Sequence, residues 1–400
     1  MDQVVLIDSE LRQGAVATQR PQSLSVVLKI ASRCNLNCSY CYIYNLRDQA
    51  YLSQPALLSD EGIVNVARFI AEGAAAAGVS RVQVIFHGGE PLLAGKARFE
   101  RFSRCLSESL QRVSEFSLAV QTNATLIDDE WIDVFERCRV AVGVSLDGPA
   151  DINDRSRFTI TSQGSHSMAV AGIRQLVAAR ELGRISSVGL LCVIDAAQDP
   201  ARLLAHFVDE LKIRRLDFLF PDVTHEDGVD ALSIGRYVER LHAAWIDRDD
   251  PSINIRMLSS VVSLLLGGRS KMIGFGKDKP LAITINTDGT ISPDDTLRNC
   301  GHGMMESGAT IYKDTLAGFL AGPLMSRIFT EGTRTPAGCR ECPWEPICGG
   351  GHLVHRFSPA TGFDNPSVLC DGLQLIYRRV AAHLIASGYE NRVIGALGGC

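Results

Sequence analysis

The chain alternates short apolar runs with longer amphipathic stretches from residue 24 onward. The apolar runs are rich in β-branched residues and predict strands at 24–31, 82–90, 116–124, 141–148, 186–194 and 216–223. The amphipathic stretches predict helices at 59–77, 97–112, 128–137, 167–183 and 199–212. Near-continuous apolar strands joined by helices are typical of parallel strands covered by helices, an α/β fold. Six such units suit a partial or closed β/α barrel.

Polar segments follow the first four predicted strands. The loop after the first strand carries three cysteines, and HGGEP, QTNAT and SLDGP end the second, third and fourth strands. In a β/α barrel the chemistry lies at the carboxyl ends of the strands. We therefore expect one functional site at the barrel mouth.

The pattern changes after about residue 250. A helical segment at 252–266 leads to LAITINTDGTISPDD, which predicts a hairpin turning at Asp288-Gly289. A second cysteine group, the stretch CGGGHLVHRFS and a last amphipathic helix near 371–387 follow. The expected parts are an N-terminal extension (1–23), the barrel (24–250), a bridging region (251–279), a cysteine-bearing domain (280–372) and a C-terminal helix and tail (373–400).

Composition mainly excludes classes of protein. The 400 residues contain 40 Lys plus Arg against 45 Asp plus Glu, so no excess of positive charge would attract nucleic acid. No apolar run approaches the length of a membrane span, and the polar start MDQVVLIDSE is not a signal peptide. We expect a cytoplasmic protein, in which clustered cysteines indicate metal binding rather than disulfides.

The 12 cysteines are unevenly distributed. One group lies within eight residues, and a second group lies near the C-terminus. Single cysteines elsewhere are expected to be small buried hydrophobes or inert thiols. The first group is Cys34, Cys38 and Cys41; the second is Cys339, Cys342, Cys348 and Cys370; the single cysteines are Cys105, Cys138, Cys192, Cys300 and Cys400.

The first group supplies three thiols, whereas a structural zinc site has four ligands. Three thiolates at these spacings can bind three irons of a [4Fe–4S] cluster and leave the fourth iron without a protein ligand. An exchangeable ligand can then bind that iron, as at catalytic metals with one open position. The alternatives are a zinc knuckle that lacks a ligand and three incidental thiols.

The spacing C-x3-C-x2-C, with Tyr40 before the last cysteine and on the loop after strand one, resembles the signature of radical S-adenosylmethionine (SAM) enzymes. The resemblance implies that the methionine amino and carboxylate groups of SAM chelate the open iron. Reductive cleavage of SAM in that superfamily gives a 5′-deoxyadenosyl radical that abstracts a hydrogen atom.

The resemblance also implies a set of SAM-binding residues. Gly88, Gly89 and Glu90 resemble the segment that receives the methionine amino group, since glycines let the backbone approach a ligand and a carboxylate pairs with an ammonium. Asn123 and Ser145 resemble positions near the ribose and the amino-acid moiety.

Two further residues at the strand ends have competing interpretations. Arg157 is a candidate partner of the methionine carboxylate, with a solvated surface arginine as the alternative. His87 is expected to be a packed strand-end residue rather than a ligand.

The second group, C-x2-C-x5-C plus Cys370, can hold zinc or a complete [4Fe–4S] cluster, and spacing alone does not decide. The arrangement resembles the auxiliary-cluster half of a SPASM domain. Full SPASM domains hold two clusters. Here three cysteine ligands of the other cluster are missing: Asp294 stands after the hairpin in place of one, the stretch upstream of the hairpin has no cysteine, and His352 stands in place of the third. The resemblance therefore implies one auxiliary cluster, with Cys300 and His352 as remnants or packing residues.

Asp295 follows the same hairpin. In sulfatase-maturating relatives the matching residue is an aspartate proposed as the catalytic base, so the resemblance makes Asp295 a candidate to accept the proton of an oxidised substrate radical. The alternative is that the Asp294-Asp295 pair is a solvated loop tip.

Four stretches, CNLNCSYCYIYN, FHGGEPLL, DFLFPDVTHEDG and CGGGHLVHRFSPATGFDNPSVLC, are most similar to FxsB-type SPASM peptide maturases that form three-residue cyclophanes. The resemblance implies a carbon–carbon crosslink between an aromatic ring carbon of a ribosomally made precursor peptide and the β-carbon two residues on. A flavodoxin or ferredoxin is the expected reductant. With the barrel starting near residue 24, leader recognition is expected from the barrel rim, residues 1–22, the 222–232 loop or a separate protein.

Two other functions compete with crosslinking. Formylglycine formation on a sulfatase is disfavoured by the three missing auxiliary ligands, because sulfatase maturases of this resemblance keep both clusters. A non-catalytic iron–sulfur or zinc protein for electron transfer or binding explains the second cysteine group, but not the three-thiol loop together with GGE.

Overall fold

The computed structural model describes residues 23–270, 272–277, 281–301 and 303–398. The strands in these ranges are β1 (Ser23–Ala31), β2 (Arg81–Gly88), β3 (Glu115–Thr122), β4 (Val140–Ser145), β5 (Val188–Val193), β6 (Arg215–Leu219), β7 (Asn254–Ile255), β8 (Leu281–Ile285) and β9 (Ile291–Ser292). The helices are α1 (Asp60–Ala77), α2 (Lys96–Ser109), α3 (Asp129–Cys138), α4 (Ala150–Ser156), α5 (His166–Glu181), α6 (Pro200–Ala205), α7 (Ala231–Asp247), α8 (Arg256–Leu265), α9 (Leu316–Ala321), α10 (Pro323–Thr333), α11 (Glu345–Cys348), α12 (Cys370–Ala386) and α13 (Glu390–Ala396). None of these helices is long and apolar enough to cross a membrane.

The chain folds into two compact units, each made of separated segments. The described part of the first unit is 23–190, 281–301 and 303–328, and that of the second is 191–270, 272–277 and 329–398. The expected N-terminal extension, apart from Ser23, lies outside the described residues.

The first unit contains a sheet in the order β4-β3-β2-β1-β8-β9. Strands β1 to β4 are parallel neighbours, with α1, α2 and α3 in the connections between them. The predicted α/β fold with a parallel sheet is therefore confirmed. The hairpin is formed by antiparallel β8 and β9, and Gly289 adopts a φ of 83° at its turn. The parallel pairing of β8 with β1 was not predicted.

One face of this sheet is buried beneath the helices. Phe86 of β2 packs against Phe99 of α2 at a ring-centroid distance of 4.5 Å, and Phe99 contacts Trp131 of α3 at 5.4 Å. Because side chains alternate along a strand, residues next to the buried ones point to the opposite face. Lys29 and His87, paired neighbours on β1 and β2, therefore lie together on that opposite face.

The second unit contains the short parallel pair β6 and β7 and a helical layer in which α7 packs on α12. Helix α7 was not predicted, although the sequence contains its signals. Asp230 accepts a hydrogen bond from the Ser233 amide as the N-cap, and Ile234, Tyr237 and Val238 are buried at helical spacing. The predicted helix at 199–212 is present as α6, which continues without a break into a π-helical turn at His206–Glu210.

Candidate functional site

The first cysteine group lies on the loop after β1, at the carboxyl end of the strand as expected. The Cys41 amide donates to the Cys38 carbonyl at 3.0 Å, which forms a tight turn. The Asn37 amide donates to the Phe158 carbonyl at 2.8 Å and the Ser39 amide to the Ser156 carbonyl at 2.9 Å, so the loop is fixed to the segment after α4. All three thiols are half-buried.

The GGE segment after β2 is joined to the same loop by its backbone. The Gly89 amide donates to the Ala31 carbonyl and the Glu90 amide to the Arg33 carbonyl, both at 2.9 Å. A β-carbon on Gly89 would lie 2.0 Å from the Tyr44 hydroxyl oxygen and 2.3 Å from the Arg33 carbonyl oxygen. Glycine is therefore required here by the approach of the cysteine loop, a reason the sequence analysis did not give.

Glu90 is buried and held by three donors. The Leu92 amide and the Thr122 hydroxyl donate to Oε1 at 3.0 and 2.8 Å, and the Asn123 amide donates to Oε2 at 2.9 Å. Burial raises the pKa of Glu90 to about 7, although these hydrogen bonds act in the opposite direction. A cation placed beside this carboxylate would favour its ionised form.

Asn123 and Ser145 lie at the ends of β3 and β4. The Asn123 side-chain amide donates to Asn35 Oδ1 at 2.9 Å and lies 3.9 Å from Cys34 Sγ, which brings it to the cysteine loop. Ser145 Oγ accepts a hydrogen bond from Gln121 Nε2 at 2.8 Å. The structure therefore gathers the predicted residues of β2 and β3 at the cysteine loop, whereas Ser145 contacts its neighbouring strand.

Arg157 is 7% exposed, so the alternative of a solvated surface arginine is wrong. Its Nη1 donates to the Tyr40 hydroxyl at 2.8 Å, and that hydroxyl donates to Asp147 Oδ2 at 2.5 Å. Asp147 belongs to the SLDGP segment but was not singled out from the sequence. These two hydrogen bonds connect Tyr40, inside the cysteine motif, to Asp147 after the end of β4. They also hold the buried Arg157 guanidinium near Cys38.

The thiols of the first group are protonated in the absence of a ligand. Burial raises the pKa of Cys34 to about 12 and also raises the pKa values of Cys38 and Cys41. Metal binding requires the thiolate form and releases these protons. Three thiols beside a buried carboxylate and a buried guanidinium suit a cluster that also receives a ligand with both an amino and a carboxylate group.

Asp295 lies in a buried network of charges. It is 5% exposed, which excludes the solvated-loop alternative for this residue. Lys29 Nζ lies 2.8 Å from its Oδ2, Arg298 Nε lies 2.5 Å from its Oδ1, and Arg298 Nη1 lies 2.5 Å from Asp48 Oδ2. Tyr42 also donates to Asp295, at 3.1 Å. The sequence analysis missed Lys29, although a lysine within an apolar strand run is an unusual residue that could have indicated it.

The four cysteines of the second group line one cavity in the second unit. Trp344 and Tyr377 lie in its wall, with their ring centroids 5.8 Å apart. The structure thus brings Cys370, which begins α12, to the three cysteines 22 or more residues earlier in the chain. Among the described residues, no three His, Cys, Asp or Glu side chains are arranged around a single metal ion. In a [4Fe–4S] cluster, each of the four thiolates binds a different iron.

The glycine-rich turn after Cys348 shapes this cavity. Gly349, Gly350 and Gly351 all have positive φ, at 60°, 81° and 81°. A β-carbon on Gly349 would lie 2.0 Å from the Gly276 carbonyl oxygen. The turn can therefore close against the neighbouring backbone only with glycine, and a four-thiol cavity is formed that fits a fully ligated cluster.

The remaining cysteines lie singly elsewhere in the fold. Cys192 and Cys300 are buried, Cys105 and Cys138 are half-buried, and Cys400 lies outside the described residues.

Two histidines named from the sequence are packed rather than exposed. His352 places its ring 5.4 Å from that of His355. His87 is half-buried, with its Nδ1 buried and without a hydrogen-bond partner in the described structure.

Comparison with known proteins gives a match over the segment that carries the first of these sites. Residues 28–188 match the model of the radical SAM superfamily. The chain is 21% identical over 377 residues to the cysteine-type anaerobic sulfatase-maturating enzyme of Clostridium novyi, covering 90% of this chain and 95% of that protein. It is 23% identical over 385 residues to the serine-type anaerobic sulfatase-maturating enzyme of Bacteroides thetaiotaomicron, covering 90% and 89%.

Solved structures show the same fold. Native anSMEcpe with bound AdoMet (SAM) superposes with a TM-score of 0.80 at 20% identity, covering 91% of this chain and 99% of that one. The same protein with bound AdoMet and the Cp18Cys peptide gives a TM-score of 0.77 at 20% identity, covering 92% and 99%. The chain therefore shares the α/β fold of these structures.

Proposed function

We propose that this chain is a radical SAM maturase that abstracts a hydrogen atom from the β-carbon of a residue in a peptide or protein substrate. The observation that carries the proposal is the joining of the cysteine loop to GGE by two backbone hydrogen bonds, within the segment that matches the radical SAM model. Cys34, Cys38 and Cys41 would hold a [4Fe–4S] cluster with one open iron.

SAM, when bound at such a cluster and reductively cleaved, supplies the 5′-deoxyadenosyl radical. The residues of this chain would bind and orient SAM. Glu90 would receive the amino group, because its carboxylate is fixed by three donors at the edge of the cysteine loop. Arg157 would supply the positive charge for the methionine carboxylate, and Tyr40 and Asp147 hold its guanidinium in place. Gly88 and Gly89 keep the loop and the strand end close, and Asn123 and Ser145 would hold the rest of SAM.

A polypeptide substrate is supported by the relatives. Several of them are sulfatase-maturating enzymes, and one solved structure contains a bound peptide. We propose a ribosomally made precursor peptide as the partner, with a flavodoxin or ferredoxin as the electron donor, in the cytoplasm. The net charge of −5 gives no reason to add nucleic acid to these partners.

We propose that the β-carbon radical adds to a nearby aromatic ring and forms a three-residue cyclophane. The four-cysteine cavity supports this reaction, since one auxiliary [4Fe–4S] cluster there can take up the electron released on rearomatisation. A second candidate, formylglycine formation, is favoured by the sulfatase-maturating relatives. Both reactions begin at the same β-carbon.

Asp295 remains our candidate for the proton acceptor of the last step. Burial favours its neutral form, but Lys29 and Arg298 outweigh that effect and hold the pKa of Asp295 below its usual range. A carboxylate paired in this way is a weak base, so the proposed role requires the substrate to displace Lys29 from Asp295.

Coexpression with small peptides encoded beside the gene tests the proposal, in cells that build iron–sulfur clusters. A crosslink removes two hydrogens and suppresses backbone fragments between an aromatic residue and the one two places on. Formylglycine leaves a continuous fragment series and an aldehyde that reacts with hydrazides. An unmodified peptide, together with unmodified sulfatase sequences, would contradict the maturase proposal.

A further inference from the structure

Arg356 is a fully buried cation in the second unit. Its side chain is 0% exposed, and its Nε donates to the Phe363 carbonyl at 2.9 Å. Its Nη1 and Nη2 are buried, and neither has a hydrogen-bond partner in the described part of the chain. Arginine keeps its charge in proteins, and an uncompensated buried charge is strongly destabilising. A negative group close to these two nitrogens would therefore stabilise the fold.

The unpaired end of Arg356 lies against the wall of the four-cysteine cavity. Gly350 belongs to that wall, and a β-carbon on Gly350 would lie 3.5 Å from Arg356 Nη1. The guanidinium therefore reaches the wall of the cavity that the four cysteines line.

Two carboxylates, Glu331 and Asp364, act on Arg356 electrostatically. Both lie closer to a second cation, with Glu331 Oε2 at 2.9 Å and Asp364 Oδ2 at 3.6 Å from Arg334 Nη2. Neither carboxylate accepts a hydrogen bond from Arg356 Nη1 or Nη2. The cavity offers a larger negative charge, because four thiolates together outweigh the positive charge of an oxidised iron–sulfur core.

We propose that Arg356 is the buried counter-charge of the auxiliary [4Fe–4S] cluster and raises its reduction potential. The inference rests on the proposed assignment of that cluster to Cys339, Cys342, Cys348 and Cys370. Reduction adds a negative charge, and a nearby cation in a low-dielectric interior stabilises the reduced state more than the oxidised state. Arg356 would thereby make the cluster a better electron acceptor without binding iron itself.

The test uses the full chain with Cys34, Cys38 and Cys41 replaced by alanine, so that only the auxiliary cluster forms. Its midpoint potential is measured by redox titration followed by electron paramagnetic resonance, and iron is counted per chain. Arg356→Gln should shift the midpoint to more negative values, and Arg356→Lys should retain most of the parent potential. Arg340→Gln removes an exposed arginine between two ligands and should leave the midpoint nearly unchanged, because solvent screens its charge.

The outcomes separate this inference from the function on which it rests. A parent chain that binds no cluster would overturn the auxiliary-cluster assignment and the inference with it. An unchanged midpoint in Arg356→Gln at full iron content would overturn the inference alone. If Arg356→Gln fails to fold or loses its iron, the Arg356→Lys variant tests the inference instead. A cluster with the parent midpoint potential in Arg356→Lys would support the role of the positive charge. Loss of folding or iron equal to that of Arg356→Gln would contradict it.

Discussion

The two cysteine groups hold their thiols in different ways. The first is a loop of three half-buried thiols, fixed by backbone hydrogen bonds to GGE and surrounded by Glu90, Tyr40 and Arg157. The second is a cavity of four thiols behind the rings of Trp344 and Tyr377. A three-thiol set with a buried carboxylate and a buried cation suits a cluster that accepts a ligand. A four-thiol cavity walled by aromatic rings suits a cluster that only exchanges electrons.

The largest expected effect comes from removing the thiols of one group at a time, because each removal should abolish a different property of the protein. Replacing Cys34, Cys38 and Cys41 by alanine should abolish SAM cleavage and leave the iron of the auxiliary cluster in place. Replacing Cys339, Cys342, Cys348 and Cys370 should remove the auxiliary iron and leave a chain that still binds SAM. Iron content and 5′-deoxyadenosine formation are the measurements; SAM cleavage by the first variant would contradict the assignment.

Two glycine substitutions should separate the groups without changing a thiol. Gly89→Ala places a β-carbon 2.0 Å from the Tyr44 hydroxyl oxygen and should reduce iron binding by the first cysteine group only. Gly349→Ala places a β-carbon 2.0 Å from the Gly276 carbonyl oxygen and should reduce iron binding by the second group only. Gly95→Ala is the control, since Gly95 has a positive φ of 81° but no neighbour within 4 Å of the added carbon. Iron loss in the control equal to that in Gly349→Ala would attribute the loss at the second group to backbone strain, since Gly349 also has a positive φ, of 60°.

Asp295→Asn should destabilise the first unit by about 3–5 kcal/mol, because it leaves Lys29 and Arg298 without their shared counter-charge. Urea unfolding measures the change, and Lys29→Met added to Asp295→Asn should restore part of it. Glu115→Gln breaks an ion pair with Arg81 in which both side chains are 62% exposed, so it should change stability far less than Asp295→Asn, because solvent screens exposed charges. A folded Asp295→Asn protein of unchanged stability that cleaves SAM but yields no product would instead favour the role of base.

Glu90→Gln should cost about 1–3 kcal/mol of stability and weaken SAM binding. The three groups that contact Glu90 are all donors, and glutamine turns one of the two accepting oxygens into a further donor. Unfolding experiments and SAM titration measure the two effects. Unchanged SAM affinity in a folded Glu90→Gln variant would remove Glu90 from the binding site.

The pH dependence of stability should show the smallest effect. Burial raises the pKa of Glu90 to about 7, above the usual carboxyl value of about 4.3. Between these values the folded chain binds a proton that the unfolded chain has released, so this contribution to stability falls as pH rises. The contribution of Glu90 is isolated by comparing the unfolding free energies of wild type and Glu90→Gln at about pH 5 and about pH 8. An identical pH dependence in both proteins would contradict the raised pKa of Glu90.

The apolar pattern predicted the α/β fold well, because buried parallel strands leave a strong signal. Strands β1 to β4 lie within three residues of their predicted bounds. The pairing of β8 with β1 was missed, since no local pattern specifies which strand a hairpin will join. Likewise Lys29 and Asp295, 266 residues apart, meet only through that pairing. The cysteines were visible as spacings, but Asp147 and Arg356 became recognisable only through their buried contacts.

The most direct test of the central claim uses a precursor or sulfatase-derived peptide carrying deuterium at the β-carbon of its target residue. Reconstituted enzyme, SAM and a reductant are added, and the 5′-deoxyadenosine formed is analysed by mass spectrometry. Deuterium in the 5′-deoxyadenosine is the predicted result, and the variant lacking Cys34, Cys38 and Cys41 should form none. Product peptide accompanied only by unlabelled 5′-deoxyadenosine would contradict abstraction from the β-carbon.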